Sequence, residues 1–296
     1  MDYSGQVIAL GSFDGVHLGH QQILSRAYQI ASKLHGTTAV LTYDPLPAQL
    51  IHPDFTYVLT PLSEKVQLLI ELGIQFIHIV RFNEQTRITE PVAFVKSQIL
   101  PIRPSAVVAG HDHRFGNQGR GDIALLRKLL EPLYINVEVV PEFGLFGAPV
   151  RSTRIREHLL LGHVRRAADL LGRHYRLSGK VITGTGIGHH IGFPTINLMV
   201  EEKGKLVPAD GVYAALVDIM TARYPAVLNI GHRPTFMGET RTIEAHLLDC
   251  HLPFRPPGAT VHFVERLRPE RKFPTPEALT HQIQTDIEKA RRLLDL

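Results

Sequence analysis

The sequence has few groups that could crosslink it or hold it in a membrane. Among its 296 residues there is one cysteine, Cys250, and no tryptophan. A single cysteine excludes an intramolecular disulfide bond and a thiolate metal cluster, and it is typical of a reducing compartment. No apolar run approaches the roughly 18 residues that cross a bilayer, and the first residues do not form a secretory signal. We therefore expect a cytoplasmic protein that does not enter the membrane.

Net charge is also small, at +4, and the surplus is concentrated in one segment. Residues 151–176 contain seven arginines and two carboxylates. Nucleic acid binding usually spreads basic residues over a broad face, whereas a short cluster also suits the phosphate tail of a small ligand or a solvated helix face. We therefore expect small-molecule partners rather than nucleic acid.

Short β-rich runs alternate with helical patterns in the first half of the sequence. The predicted strands are Gln6–Phe13, Thr37–Tyr43, Gln75–Val80, Ser105–Ala109 and Ile135–Val140. The predicted helices are Gly19–Leu34, Ser63–Leu72, Glu90–Leu100 and Asp122–Glu131, then Ser152–Leu161 and His163–Leu171. Because parallel strands need crossover connections of this length, the alternation predicts an α/β fold with a parallel, doubly wound, Rossmann-like sheet.

Beyond Gly172 the pattern changes to strands separated by turns that contain Gly or Pro. The predicted strands are Tyr175–Thr183, Gly211–Ile219, Tyr224–Ile230, Thr240–Asp249 and Ala259–Leu267. Without room for crossover helices, this half predicts an antiparallel barrel or sandwich. A closing helix, Pro276–Leu294, has one apolar face with Thr275 placed to cap it. We predict two domains, residues 1–172 and 173–296.

The first predicted strand runs into Gly11-Ser12-Phe13-Asp14-Gly15-Val16-His17-Leu18-Gly19-His20, just before a helix. Ligands of open parallel sheets bind at the carboxyl ends of the strands, and a helix start offers N–H groups and a positive dipole end. The glycines would let a phosphate approach the backbone. His17 and His20 would donate hydrogen bonds to a transferring phosphoryl group. The residues alone therefore predict a triphosphate site.

Two other interpretations of these histidines stay open at this point. The chain has 17 histidines, so close pairs such as His111/His113 and His189/His190 also arise by chance. A zinc site at His17 and His20 would need a third ligand and would give the surrounding glycines no role.

The segment from Gly11 to His20 resembles the Gly-x-Phe-Asp-Gly-Val-His-x-Gly-His signature of the bifunctional riboflavin kinase/FMN adenylyltransferase family, also called prokaryotic FAD synthetases. The resemblance implies that His17 and His20 hold the phosphates of ATP. It also implies that the acceptor attacks the α-phosphorus without a covalent enzyme intermediate. A nucleotide-binding role is implied for the other signature residues, Gly11, Phe13, Asp14, Gly15 and Gly19.

Two later segments resemble the same domain in the expected order. Gly110-His111-Asp112-His113-Arg114-Phe115-Gly116 implies flavin contacts from Asp112 and Phe115. The second segment is Ser152-Thr153-Arg154-Ile155-Arg156, at a predicted helix start. Two hydroxyls and nearby guanidinium groups there suit a phosphate clamp, formed by Ser152, Thr153 and Arg156. Capping of the helix by Ser152 is compatible with this use.

A second glycine-rich segment, 184–197, lies in the predicted barrel half. It lacks the Gly-Lys-Ser/Thr of a Walker loop and the helix of a dinucleotide fingerprint, so spacing alone does not distinguish a phosphate loop from a turn. With Pro194-Thr195-Ile196-Asn197 it resembles the riboflavin kinase signature of the same family. Further landmarks follow in the family's order: Gly211-Val212-Tyr213, 229–235, 244–249 and Leu267-Arg268.

This second resemblance implies the parts that phosphoryl transfer needs, which are Mg²⁺, phosphate donors and a carboxylate near the attacking hydroxyl. Thr195 and Asn197 would bind the metal and the nucleotide phosphates, and Glu244 would activate the ribityl 5′-hydroxyl. The remaining implied contacts are Gly188, Gly192 and Pro194 to nucleotide and Arg268 to flavin. Glu244 and His246 share one face of a strand, and the sequence does not decide between lumen and solvent.

The chain departs from the family pattern in both halves. In the first half, Leu46, His111, His113 and Arg151 stand where the family usually has His, an acid, Phe and Ser. In the second half, His189, Ile196 and Cys250 replace Arg, Ala and Phe. Since Ile196 is bulky and lies beside the implied nucleotide, we expect a lower affinity for ATP.

The predicted function is therefore two ATP-dependent reactions on flavins. Riboflavin and ATP give FMN and ADP, and FMN and ATP give FAD and pyrophosphate, with Mg²⁺ in both steps. FMN and FAD are then substrates and products rather than prosthetic groups. The alternatives are a paralogue that keeps one of the two activities, or a flavin-binding regulator that contacts RNA through residues 151–176. The sequence predicts no oligomeric state.

Overall fold

The computed structural model describes residues 5–184, 192–202, 204–235, 238–250, 252 and 254–296. The chain divides into two compact units, Met1–Ser152 and Thr153–Leu296. None of the described helices is both long enough and apolar enough to span a bilayer.

The first unit is an α/β unit, as predicted. Its strands are β1 (Gln6–Leu10), β2 (Thr37–Asp44), β3 (Phe76–Arg81), β4 (Pro104–Gly110), β5 (Asn136–Val140) and a small pair, β6 (Gly144–Leu145) and β7 (Ala148–Pro149). Its helices are α1 (Leu18–Lys33), α2 (Pro47–Ile51), α3 (Leu62–Glu71), α4 (Glu84–Arg87), α5 (Pro91–Phe94) and α6 (Ile123–Leu130). The helix predicted for 90–100 continues beyond α5 as a π-helical turn, Val95–Ile99.

Strands β1 to β5 form one parallel sheet in the order β3-β2-β1-β4-β5. Strand β1 is buried along its whole length, because helices cover both faces of a parallel sheet and its strands must be apolar on both sides. After β1 the chain builds β2 and β3 on one side, then β4 and β5 on the other. The strand order thus reverses between β1 and β4, whose carboxyl ends flank the usual ligand-binding crevice of such sheets.

The second unit is a closed antiparallel barrel, which decides between the barrel and the sandwich. Its strands are β8 (Tyr175–Ile182), β9 (Ile196–Met199), β10 (Gly211–Ile219), β11 (Ala222–Thr235), β12 (Gly238–Leu247) and β13 (Gly258–Arg268). They close in the order β10-β11-β12-β9-β8-β13. Its helices are α7 (Ser152–Leu160, which starts at the last residue of the first unit), α8 (Val164–Leu171) and α9 (Pro276–Leu293).

The predicted terminal helix is confirmed as α9. The Oγ1 atom of Thr275 accepts the N–H of Ala278 at 3.2 Å and caps the helix. Ile287 and Ala290 on its apolar face pack against Val212 of the barrel. This helix therefore closes one side of the barrel core.

Helices α7 and α8, which the sequence grouped with the first half, lie in the second compact unit. Arg266 donates to the carbonyl of Leu161 at 3.3 Å, and the N–H of Ala209 donates to the carbonyl of Leu159 at 3.0 Å. These bonds tie the end of α7 to the barrel. The division into functional domains at residue 172 stays a prediction.

Candidate active sites

The turn between β1 and α1 brings the two signature histidines together. His17 is the N-cap of α1, and its Nδ1 atom accepts the N–H of His20 at 3.3 Å. Because Nδ1 acts as an acceptor, the proton of the neutral ring lies on Nε2, which makes Nε2 the donor atom of the ring. The two rings stack with centroids 3.7 Å apart. The pair lies at a helix N-terminus, where the dipole favours negative charge.

Two signature glycines lie close to aromatic or imidazole rings. A Cβ atom on Gly19 would lie 3.2 Å from the ring of His17, and one on Gly11 would lie 3.1 Å from the ring of Phe13. Phe13 itself is buried, and its ring centroid is 5.2 Å from that of His20. Gly11 and Gly19 therefore shape the turn around aromatic side chains, and their contact with a nucleotide stays a prediction.

Asp14 and Gly15 hold the turn against the segment before α3. The buried carboxylate of Asp14 accepts the N–H groups of Leu59 and Thr60, each at 3.0 Å. The N–H of Gly15 donates to the hydroxyl of Thr60 at 2.8 Å. These contacts support a structural role, and direct nucleotide binding by Asp14 and Gly15 stays a prediction.

Ser152 also contacts the turn between β1 and α1, residues 11–17, which we call the signature turn. Its hydroxyl donates to the carbonyl of Asp14 at 2.9 Å. Thr153 and Arg156 follow it on α7 within the second unit. Arg151, just before them, is exposed and pairs with Glu142 at 2.5 Å. The phosphate clamp of Ser152, Thr153 and Arg156 stays a prediction.

The segment after β4 separates the two implied flavin contacts. Asp112 is exposed, whereas Phe115 is 3% exposed and belongs to the core of the first unit. The ring of Phe115 lies 5.9 Å from that of Phe94, and a Cβ atom on Gly121 would approach it to 2.6 Å. Flavin binding by Asp112 and Phe115 stays a prediction, which the burial of Phe115 does not support.

His113, where the family usually has Phe, is an imidazole in an apolar setting. Its Nε2 atom is shielded from solvent and has no hydrogen-bond partner among the described residues. The ring stacks near that of Phe115, at 6.0 Å. Burial lowers the pKa of His113 to about 4, although the nearby Asp112 opposes the shift. The folded chain therefore keeps His113 neutral at a pH where the unfolded chain protonates it, which lowers the free energy of unfolding in acid.

We expect the change His113→Phe to stabilise the protein, increasingly so in acid. Between pH 6.5 and 4 the unfolded chain protonates this histidine and the folded chain does not. The free energy of unfolding of the native chain therefore falls as the pH falls through this window, by up to about 3 kcal/mol from this group. Urea unfolding of both chains from pH 7 to 4 measures the difference. A gap that stays constant would contradict the expectation, and His111→Gln, at an exposed neighbour, is the control.

A cavity of about 320 Å³ lies between the barrel and α9. Its apolar lining comes from Phe193, Val212, Val227, Phe273, Leu279 and Ile283. Its polar lining includes Thr195, Asn229, Glu244, His246, Arg268 and Asp286. A largely apolar cavity with a few polar groups is the usual form of a site for a ring-shaped organic ligand.

Glu244 lines this cavity on the outer face of the barrel, so it points neither into the lumen nor into bulk solvent. The hydroxyl of Thr195 donates to Oε2 of Glu244 at 3.4 Å. Asn197 is buried and lies opposite Glu244 in the pairing of β9 with β12. A Cβ atom on Gly184 would clash with the amide of Asn197, so only glycine fits there. The structure thus brings the three predicted kinase residues together.

A second cavity, of about 340 Å³, lies beside the first. Its lining includes Thr183, Gly184, Pro194, Ile196, Cys250 and Arg255. Thr195 lines both cavities. Two cavities that share a lining residue suit the transfer of a group between two bound molecules.

His246 and Asp286 contribute to the first cavity and were not among the predicted site residues. The Nδ1 atom of His246 lies 2.9 Å from the carbonyl of Pro194, which holds the segment before Thr195. Asp286 is 1% exposed, and its carboxylate accepts from Arg268 at 2.8 Å. Arg268 is thus fixed at the cavity, as its predicted flavin contact requires.

The glycine-rich segment is described only in part. Gly188 and His189 lie outside the described residues. Gly192 is exposed, with a φ of 86°. Nucleotide binding by Gly188, Gly192 and Pro194 stays a prediction.

Family models match both halves of the chain. A model described as FAD synthetase matches residues 1–154, and one described as riboflavin kinase matches residues 171–294. The chain is therefore a two-domain enzyme that transfers groups from ATP to flavins. It is 36% identical to a bifunctional riboflavin kinase/FMN adenylyltransferase of Listeria monocytogenes, over 97% of this chain and 91% of that one. The chain belongs to the bifunctional riboflavin kinase/FMN adenylyltransferase family.

Two further relatives have the same description, and one solved structure has the same fold. Proteins of the same description from Bacillus subtilis and Escherichia coli K12 are 34% and 31% identical, over 97% and 99% of this chain and 92% and 94% of theirs. A solved structure described as a macrolide-efflux protein from Streptococcus pneumoniae has a TM-score of 0.90 and 30% identity, covering 97% of this chain and 94% of that chain. The predicted family, fold class and enzyme class are confirmed, and neither alternative is favoured.

Proposed function

We propose that this chain makes FAD from riboflavin in two steps, at two separate sites. The barrel phosphorylates riboflavin to FMN with ATP, and the first unit adenylylates FMN with release of pyrophosphate. The observation that supports this most directly is Glu244, which lines the first cavity and is hydrogen-bonded to Thr195, the residue that lines both cavities. The single cysteine suits a reducing cytoplasm.

In the kinase step, riboflavin occupies the 320 Å³ cavity and ATP the 340 Å³ cavity. The 5′-hydroxyl oxygen attacks the γ-phosphorus, and the bond from that phosphorus to the bridging oxygen of ADP breaks. Glu244 takes the hydroxyl proton, which is the task of a positioned carboxylate base. Thr195 orients Glu244 through the hydrogen bond between them.

Oxygen donors at and near Thr195, the residue that lines both cavities, suit Mg²⁺. The Thr195 hydroxyl and the Asn197 amide oxygen are hard ligands of the kind that Mg²⁺ prefers, and it usually takes the rest from water and substrate phosphates. Among the described residues there is no group of three or more His, Cys, Asp or Glu able to form a dedicated metal site. When bound, the metal neutralises charge on the phosphates. Thr195 and Asn197 orient the nucleotide tail.

In the adenylyltransferase step, the phosphates of ATP lie at the N-terminus of α1. A phosphate oxygen of FMN attacks the α-phosphorus, and pyrophosphate leaves. His17 and His20 donate hydrogen bonds to the charge that accumulates during transfer. Backbone N–H groups at the start of α1 add to this.

One coupled assay tests the proposal. The purified chain is incubated with riboflavin, ATP and Mg²⁺, and flavins are separated by chromatography over time. We expect FMN to appear first and FAD to follow. Accumulation of FMN without FAD would refute the second activity, and the absence of both products would refute the proposal.

Cys250 offers a separate test of the nucleotide cavity, since it is the one cysteine and lines that cavity. We expect Mg-ADP to slow alkylation of Cys250, about tenfold at about ten times its Kd, because only the free fraction reacts. Alkylation should inhibit the kinase and spare adenylyl transfer. Mass spectrometry after iodoacetamide treatment measures the rate, with Cys250→Ser as the unlabelled control. Protection by riboflavin but not by ADP would reverse the assignment of the two cavities.

A further inference from the structure

Lys65 is a buried cation behind the signature turn, and the proposed chemistry gives it no role. It lies on α3 with 1% of its surface exposed. Its ammonium group donates to the carbonyl of Ser12 at 3.2 Å, the carbonyl of Tyr43 at 3.0 Å and the hydroxyl of Thr42 at 3.2 Å. All three ammonium hydrogens therefore have acceptors, which is the condition under which a lysine can be buried.

These acceptors belong to two different parts of the fold. Ser12 lies in the signature turn, and Thr42 and Tyr43 lie at the carboxyl end of β2. The hydroxyl of Thr42 also donates to the carbonyl of Ser12, at 3.0 Å. Lys65 thus joins the signature turn to the neighbouring strand on the edge of the sheet where the ligand is expected.

The segment 59–65 holds the turn at a second point as well. Asp14 of the turn accepts the N–H groups of Leu59 and Thr60, as described above. Lys65 follows Thr60 on the same stretch of chain and lies on α3. An ammonium group therefore binds the turn at Ser12, and two backbone N–H groups bind it at Asp14.

Two nearby carboxylates offset the effect of burial on the pKa of Lys65 only in part. Burial lowers the pKa of Lys65 to about 8, while the carboxylates of Asp14 and Asp44 oppose the shift. Near neutral pH the ammonium form dominates, and it sits in a region shielded from water, where a charge acts more strongly on its surroundings. The amine loses its proton as the pH rises through about 8.

We propose that Lys65 is a positioning residue of the FMN adenylyltransferase site. Its ammonium group fixes the turn that carries His17 and His20, and its charge favours the binding of phosphate at the start of α1. This inference rests on the adenylyltransferase function proposed for the first unit. The kinase site is in the other compact unit, so its activity serves as an internal reference.

The first test uses the native chain and its pH profile. We expect kcat/KM for FAD formation from FMN to fall as the pH rises from 7 to 9.5, with an apparent pKa near 8. Riboflavin phosphorylation by the same preparation should not follow that curve. A purely structural lysine would give no such alkaline limb in one reaction alone. FAD formation that stays constant to pH 9.5 would overturn the proposal.

The second test removes the ammonium group with Lys65→Met. We expect FAD formation at pH 7 to fall by about tenfold or more, because small displacements of reacting groups are costly. The remaining rate should no longer fall between pH 7 and 9.5. Lys128→Met, on an exposed face of α6, is the matched control. A folded Lys65→Met with the native rate and profile would also overturn the proposal.

If Lys65→Met does not fold, Thr42→Val keeps the charge and removes one acceptor of the ammonium group. The alkaline limb should then move to lower pH, since the protonated amine has lost a partner. An unmoved limb would count against the proposal. A native chain that makes no FAD at any pH would instead refute the underlying function, so the two failures are distinguishable.

Discussion

Riboflavin phosphorylation is expected to fall by about 10² to 10⁴-fold in Glu244→Gln, the usual contribution of a general base. Glutamine keeps the size and can still accept the hydrogen bond from Thr195, but it cannot take the proton of the attacking hydroxyl. The proposal assigns this role to Glu244 because its carboxylate lies 3.4 Å from the hydroxyl of Thr195 and lines the cavity between the barrel and α9. Initial rates of FMN formation, measured by chromatography, check the expectation.

The same variant should form FAD from added FMN at the native rate, because Glu244 belongs to the barrel and not to the first unit. Glu201→Gln is a suitable control, since Glu201 is an exposed carboxylate that pairs with Lys180. A folded Glu244→Gln with a native kinase rate would remove Glu244 from the mechanism. Loss of both activities would show that the two sites are not independent.

The general fold was predictable because its periodicities are strong. The alternation of strands and helices gave the parallel sheet, and the dense run of strands with Gly/Pro turns gave the barrel. Strand β9, Ile196–Met199, was missed because four residues behind a proline carry too little pattern to separate from a loop. It nevertheless places Asn197 opposite Glu244. The sequence therefore predicted the kinase residues by motif but could not predict how the fold brings them together.

Residues that act through burial were harder to find. Lys65 and Asp286 are both charged side chains on the inward face of a helix, next to Leu68 and Leu69 in one case and Ile287 in the other. A charge within an apolar stripe is a usable signal, since it must find a partner inside the protein. The pattern does not reveal what that partner is, because it is distant in the sequence. Lys65 donates to the carbonyls of Ser12 and Tyr43, and Asp286 pairs with Arg268 of β13.

Motif resemblance also predicted binding roles for residues that make internal contacts in the fold. The carboxylate of Asp14 accepts backbone N–H groups, and Phe115 packs in the core. A signature records every residue that a site requires, including those that shape it without touching the ligand. Only the fold separates these two kinds of requirement.

His17 raises this same question, because it caps α1 and also carries a ring N–H. The changes His17→Asn and His17→Ala separate the two uses. Asparagine is among the best N-cap residues, whereas alanine costs about 1 kcal/mol at this position. We expect both variants to lose FAD formation by about 10² to 10³-fold, as after removal of one donor that stabilises transition-state charge. Riboflavin phosphorylation should be unchanged in both.

Thermal unfolding of the variants completes the test. If His17 acts only as a cap, His17→Asn should keep both the native melting temperature and FAD formation, and only His17→Ala should be impaired. If the imidazole acts on the phosphates, His17→Asn should fold as the native chain does and still fail to make FAD. His20→Asn should then be impaired too, since its ring stacks on that of His17 at the same helix start. Activity retained in His17→Asn would reduce the signature histidine to a structural role and would leave the anion-binding work to the backbone of α1.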